Sequence, residues 1–233
     1  MKKLQVYGDS ILKGVTLNEE TKKYYINDKI NLNALGKEIG VEVVNFSRFG
    51  CTVDKGQNIL EKNIQNGNTG DYVLVEYGGN DSDFNWADIS QNPEKEHFSN
   101  TPLELFKEEY NAIVELLKKI GTVPVLTTLI PVDAEKYFSW ICRTGLSKEN
   151  ILYWLGDVYA IYRYQEQYSR AVESIAKDTG CECIDLRGAF IRKRKISELF
   201  CSDGIHPSVK GQEIIQAELR AFALHKRKQI MTN

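Results

Sequence analysis

The sequence predicts an α/β protein, with a parallel sheet of five strands covered by helices on both faces. Two observations carry this. Short runs rich in β-branched and aromatic residues recur at 4–7, 41–46, 72–77, 123–129 and 181–186. Helical spacing fills the intervals between them. Strands that alternate with helices pair in parallel, because each crossover helix returns the chain to the same edge and covers one face. The pattern does not give the strand order.

Each element has a local cause. The first run ends at Gly8 and leads straight into Asp9 and Ser10. A helix begins near Val53 and continues through 59–64. Pro102 stands where a first helical turn accepts proline, and Leu103, Leu105, Phe106, Tyr110, Ile113, Val114 and Leu117 follow at amphipathic spacing. A last helix spans 208–224. No internal repeat or long linker interrupts the 233 residues, so one domain over 1–233 is expected. The segment 131–180 is longer than an ordinary connection and dense in aromatics, Trp140 and Trp154 among them. It is read either as an αα insertion with an aromatic packing face or as a pocket wall. In the second reading Trp140 and Trp154 bind substrate, since such side chains pair apolar area with a polar tip.

Composition narrows the function. Charged residues make up 27% and the net charge is -2, which gives no nucleic-acid footprint. The basic run Arg192-Lys193-Arg194-Lys195 reads as a solvated helix face. No stretch is long and apolar enough for a membrane span, and the N-terminus lacks the apolar region of a signal peptide. The expectation is a soluble, cytoplasmic protein that starts directly with its fold. Five cysteines, an odd number without framework spacing, point to reduced thiols. Cys181-Glu182-Cys183 reads as strand and not as a metal pair, because no second pair accompanies it. Oligomeric state is not readable.

The tripeptide Gly8-Asp9-Ser10 suits a turn. It also suits a serine nucleophile at a strand's C-terminal end, where open α/β sheets carry their sites. A serine hydroxyl needs a base to take its proton. Of three histidines, His225 lies in a basic tail and His97 in a polar loop where it is expected to be solvated. His206 differs. Asp203 precedes it by three residues across Gly204, a spacing that can bring a carboxylate to imidazole Nδ1. The other reading of 201–208 is a turn and cap for the last helix. Acyl transfer also needs oxyanion donors. Asn80, in Gly78-Gly79-Asn80-Asp81, and Gly50 follow the third and second strand-like runs. That would gather them with Ser10 on one edge of the sheet.

Those four stretches, in this order, resemble the SGNH hydrolases, also called GDSL-type esterases or lipases. The signature serine, glycine, asparagine and histidine match Ser10, Gly50, Asn80 and His206, in blocks spread over residues 6–211. The G-x-S-x-G elbow of α/β-hydrolases is absent. The resemblance implies a flavodoxin-like three-layer α/β/α sandwich and ester hydrolysis through an acyl-serine, with no metal or cofactor. Carried onto this chain, Ser10 is the nucleophile, His206 the base and then acid, and Asp203 its orienting carboxylate. The oxyanion donors are the N–H groups of Ser10 and Gly50 and the Asn80 amide. Asp9 and Asp81 support their loops. Ile11 stands where the family commonly has leucine, and the block ending at Gly50 is less glycine-rich than in many members. The expected substrate is a small-molecule carboxylic ester with a short acyl or acetyl group, on a sugar or another alcohol. An acyltransferase using the same acyl-serine, and a noncatalytic ligand-binding module with Gly8-Asp9-Ser10 as an anion-binding turn, stay open at this point.

Overall fold

The computed structural model describes residues 1–232, with side chains through Arg227. Five parallel strands form the central sheet: β1 (Lys2–Gly8), β4 (Val41–Asn45), β5 (Tyr72–Glu76), β6 (Val123–Thr127) and β7 (Glu182–Ile184). Their spatial order is β4-β1-β5-β6-β7, with Val6 opposite Asn45 on one side and Leu74 on the other. The chain steps outward from β1 to β4 and then returns to the far side of β1. This is the flavodoxin-like order, and ligands bind in the crevice where such an order reverses.

Two apolar layers hold helices on the sheet. On one face α2 (Val53–Gln65), α4 (Leu103–Lys119) and α7 (Ala160–Thr179) bury Leu60, Phe106, Tyr110, Leu117, Tyr168 and Val172 against Val73, Val75 and Leu126. Of the predicted stripe of α4, Phe106, Tyr110, Ile113, Val114 and Leu117 are buried, Leu103 is half-buried and Leu105 faces outward, and Pro102 sits at the N-cap. On the other face α1 (Leu32–Ile39), α8 (Leu186–Ile191) and α9 (Val209–Thr232) cover Val6, Leu74, Val125 and Ile184. Strand side chains alternate between the two layers, as a pleated sheet covered on both faces requires.

The structure alters several expectations. The run 181–186 is a strand only over Glu182–Ile184, because the Asp185 side chain accepts the Gly188 N–H at 2.6 Å and caps α8. The run 123–129 stops at Thr127, after which Thr128 Oγ1 accepts the Arg187 N–H at 2.8 Å. Within 131–180, α7 is the ordinary crossover helix. The additional elements are α5 (Ala134–Cys142) and α6 (Lys148–Leu155), which pack with α3 (Trp86–Gln91) in a third apolar cluster. The antiparallel pair β2 (Val15–Leu17) and β3 (Tyr24–Ile26) was not anticipated. The Arg192–Lys195 run is exposed, but in the turn after α8 and not on a helix. Among the described residues all five cysteines are free thiols, no group of side chains could hold a metal ion, and no helix is long and apolar enough to cross a membrane.

Candidate active site

The turn after β1 is built by its own side chains. Asp9 Oδ1 accepts the Ile11 N–H at 2.7 Å, and the Val15 N–H closes on the Ser10 carbonyl at 2.9 Å. Turn and presentation of a serine are one structure here. Gly8 sits in a tight space: a Cβ would stand 3.0 Å from Glu76 Oε2 and 3.2 Å from Glu76 O and Ser47 Oγ.

The segment before α9 supplies the partner. Gly204 has φ +74°, and any Cβ there would meet Asp133 O and Tyr137 N at 2.5 Å. That glycine lets Asp203 fold back on His206. Asp203 Oδ1 accepts the backbone N–H groups of Ile205 and His206 at 3.2 and 3.1 Å, and Oδ2 meets His206 Nδ1 at 2.7 Å. With the carboxylate on Nδ1, the proton sits there and Nε2 presents its lone pair. Nε2 lies 3.0 Å from Ser10 Oγ. Asp203 is fully buried, and His206 and Ser10 are 3% and 6% exposed. The Cys201 N–H to His206 carbonyl bond, and Thr16 Oγ1 on the Pro207 carbonyl, pin the loop against β2.

The oxyanion candidates converge unequally. Asn80 Nδ2 donates to Asp9 Oδ2 at 2.9 Å and to the Cys51 carbonyl at 3.2 Å. Among the described residues, the N–H groups of Ser10 and Gly50 have no acceptor. Gly50 has φ +65° but does not itself line the cavity; its neighbour Phe49 does. Asp81 accepts the Val53 N–H at 2.9 Å and the Thr101 hydroxyl at 2.8 Å, tying the loop after β5 to the start of α2. Burial pushes the Asp81 carboxyl up to about 6, against those two hydrogen bonds.

A cavity of about 210 Å³ opens from Ser10 and His206. Ile130, Val132, Phe84, Trp86 and Tyr137 give it apolar walls, and Asn80, Asp83 and Gln165 polar points. Asp83 is held by Tyr137 Oη at 2.7 Å and Trp86 Nε1 at 2.8 Å, and burial raises its pKa. The imidazole of His206 is flanked by two rings. Phe49 stacks nearly parallel at 5.7 Å between centroids, and Tyr24 of β3 lies tilted at 4.8 Å. Trp140 and Trp154 are not among the residues lining this cavity. Trp154 packs edge-on against Phe84 at 5.0 Å, and Trp140 against Tyr24 at 6.5 Å, one layer behind the wall.

His97 is not solvated. Its side chain is 7% exposed, with Nδ1 3.3 Å from Asp88 and Nε2 2.9 Å from the Asn92 carbonyl, and it takes no part in the cavity. The residues that sequence reasoning missed are Tyr24, Glu76, Asp83 and the wall residues Phe84 and Trp86. Glu76 left a signal: an acid closing the apolar run 72–77, at the strand end that faces the crevice.

Residues 6–214 match the GDSL-like Lipase/Acylhydrolase family. No curated protein sequence matches the chain at a significant level. Solved structures match it over nearly its whole length. A lipase/acylhydrolase from Enterococcus faecalis is 18% identical with a TM-score of 0.64, over 95% of this chain and 94% of that one. An acetylxylan esterase from Geobacillus stearothermophilus is 21% identical with a TM-score of 0.65, over 95% and 94%. A hydrolase from the metagenome of Lake Arreo, Spain, is 18% identical with a TM-score of 0.65, over the same shares. At these identities the likeness is one of fold.

Proposed function

The chain belongs to the GDSL-like lipase/acylhydrolase family and is an ester hydrolase acting on a small-molecule substrate, and on that premise we propose that Ser10 is its nucleophile and short acyl esters its substrates. The observation that carries this is the buried chain of contacts from Asp203 through His206 to Ser10, at 2.7 and 3.0 Å. Ser10 Oγ attacks the ester carbonyl carbon while His206 Nε2 takes the hydroxyl proton. Asp203 holds the imidazole in the tautomer with the proton on Nδ1 and stabilises the imidazolium. His206 then gives its proton to the departing alcohol, leaving an acyl-serine. Water repeats the sequence and releases the acid.

The oxyanion that forms at each addition is met by the free N–H groups of Ser10 and Gly50 and by Asn80. Asn80 offers the N–H now on the Cys51 carbonyl, the longer of its two bonds, which the oxyanion shares while the Asp9 bond keeps the amide in place. The acyl group enters the cavity of about 210 Å³ beside Ser10, and the acetylxylan esterase among the fold neighbours supports a short one. The alcohol half lies at the mouth, where Phe49 and Tyr24 are 53% and 38% exposed. Exposed rings suit the apolar face of a sugar, and the fold neighbour that is an acetylxylan esterase supports an acetylated carbohydrate as the substrate. Trp140 and Trp154 act at one remove, as backing for Tyr24 and Phe84.

The test is a panel of nitrophenyl esters of rising acyl length beside acetylated sugars, with Ser10→Ala as control. The expected result is kcat/KM highest for acetyl and falling with chain length, and no turnover by Ser10→Ala. A preference for long acyl chains would contradict the short-acyl reading.

A further inference from the structure

Beneath the turn that carries Ser10 lie two buried carboxyl groups, Asp9 and Glu76, only 2% and 3% exposed. Glu76 closes β5 and lines the floor of the cavity. Glu76 Oε2 accepts the backbone N–H of Asp9 at 3.2 Å, so the two buried carboxyl groups lie beside one another, and the Asp9 charge works against a second charge on Glu76. Two carboxyl groups can share a hydrogen bond only if a proton lies between them. The reaction sequence above makes no use of Glu76.

We propose that Glu76 is a positioning residue for ester hydrolysis: as a neutral acid it donates its proton to the Asp9 carboxylate, and so holds Asp9 where it orients both the Ser10 turn and the Asn80 amide. The contacts form one line. Glu76 takes the Asp9 N–H and gives its own proton to the Asp9 side chain. Asp9 Oδ1 takes the Ile11 N–H that folds the turn, and Oδ2 takes Asn80 Nδ2. A short lever thus joins the end of β5 to two of the oxyanion donors assigned above, and the inference rests on that assignment.

The surroundings decide which acid keeps the proton. Burial works against a charge on Asp9, but the hydrogen bonds it receives from the Ile11 N–H and the Asn80 amide favour its ionised form. Glu76 faces Asp9 and, beyond it, Asp81, both negative when ionised, and the phenols of Tyr77 and of Tyr110 on α4. Lys13, a basic side chain on the Ser47 side, spends Nζ on the Ser47 carbonyl at 3.2 Å. Burial first, and the Asp9 charge second, hold Glu76 well above the usual carboxylate range. Raising the pH through that value removes the proton from between the two oxygens. Asp9 and Glu76 then repel, the turn and the amide lose their alignment, and kcat falls on the alkaline side.

The experiment compares pH profiles of kcat for wild type, Glu76→Gln and Glu76→Leu on an acetyl ester, with Ser10→Ala alongside and circular dichroism on each. A glutamine amide still accepts the Asp9 N–H and donates to the Asp9 carboxylate, but does not titrate. Glu76→Gln is expected to keep most of the neutral-pH kcat and to lose the alkaline fall attributed to Glu76. Glu76→Leu is expected to lose on the order of 10²-fold in kcat, the cost of a small misplacement of reacting groups. A Glu76→Leu variant with wild-type kcat, or a Glu76→Gln variant with the alkaline fall intact, overturns the proposal; if Glu76→Leu does not fold, the Glu76→Gln profile decides alone. Wild-type turnover by Ser10→Ala would instead sink the nucleophile assignment, so the two failures are told apart.

Discussion

The side-chain amide of Asn80 donates to the Asp9 carboxylate at 2.9 Å, so the loop after β5 and the turn after β1 are held by one hydrogen bond. These two strands are direct neighbours in the sheet. Asn80→Ala is therefore expected to cost roughly 10²–10³ in kcat, as loss of an oxyanion donor does, with a smaller change in KM. Steady-state kinetics on one acetyl ester checks it. A rise in KM with kcat intact would make Asn80 a binding residue.

Phe49 stacks on the His206 ring yet is 53% exposed. Phe49→Ala should leave stability within about 0.5 kcal/mol, as surface substitutions usually do. It should also lower kcat/KM for esters of ring-shaped alcohols more than for methyl esters. A thermal melt and a ranked substrate panel measure both. A large drop in melting temperature with an unchanged ranking would remove Phe49 from the alcohol site.

Trp154 makes the opposite expectation. It packs among Phe84, Trp86 and Tyr164 behind the cavity wall. Trp154→Ala should cost about 3 kcal/mol of stability, the low end for such a truncation. Any change in substrate ranking should then come through movement of Phe84, and Phe84→Leu should reproduce it. Denaturant melts of both variants test this; a Trp154→Ala protein as stable as wild type would contradict it.

Asp81 gives a pH-linked expectation. Folding raises its carboxyl from the ordinary 3.8 to about 6, so between these values the folded chain holds a proton that the unfolded chain has released. Stability then falls as pH rises: the contribution is full below the unfolded value and lost as pH passes through about 6. The wild type should gain on the order of 2–3 kcal/mol, relative to Asp81→Asn, on acidification across that window. Urea melts of both proteins at intervals across it measure the difference, and parallel curves would refute the linkage.

Much of this was legible in the sequence because it is local. The five apolar runs alternate with helical spacing, and Asp203, Gly204 and His206 lie within one bend, so three residues state their own geometry. What could not be read is set by packing at a distance. Tyr24 reaches His206 through a hairpin of three-residue strands, too short for periodicity to register. The strand end of β7 was overrun because Leu186 is apolar in either element, and only the cap from Asp185 decides for helix. His97 lies in a polar loop by sequence but is covered by Trp154 and held by Asp88, contacts that only the folded chain creates. Trp140 and Trp154 carry the right chemistry for a pocket wall, but composition does not tell the lining from the layer behind it.

The central claim is that the acyl group passes through Ser10, whose hydroxyl faces His206 Nε2 at 3.0 Å. The most direct measurement is acid quenching of the protein during turnover of a nitrophenyl acetate, followed by peptide mass spectrometry. The account predicts an acetyl group on the peptide carrying Ser10 in the wild type, and neither label nor turnover in Ser10→Ala. Sustained turnover by Ser10→Ala, or acetyl found on another residue at catalytic rates, would contradict it.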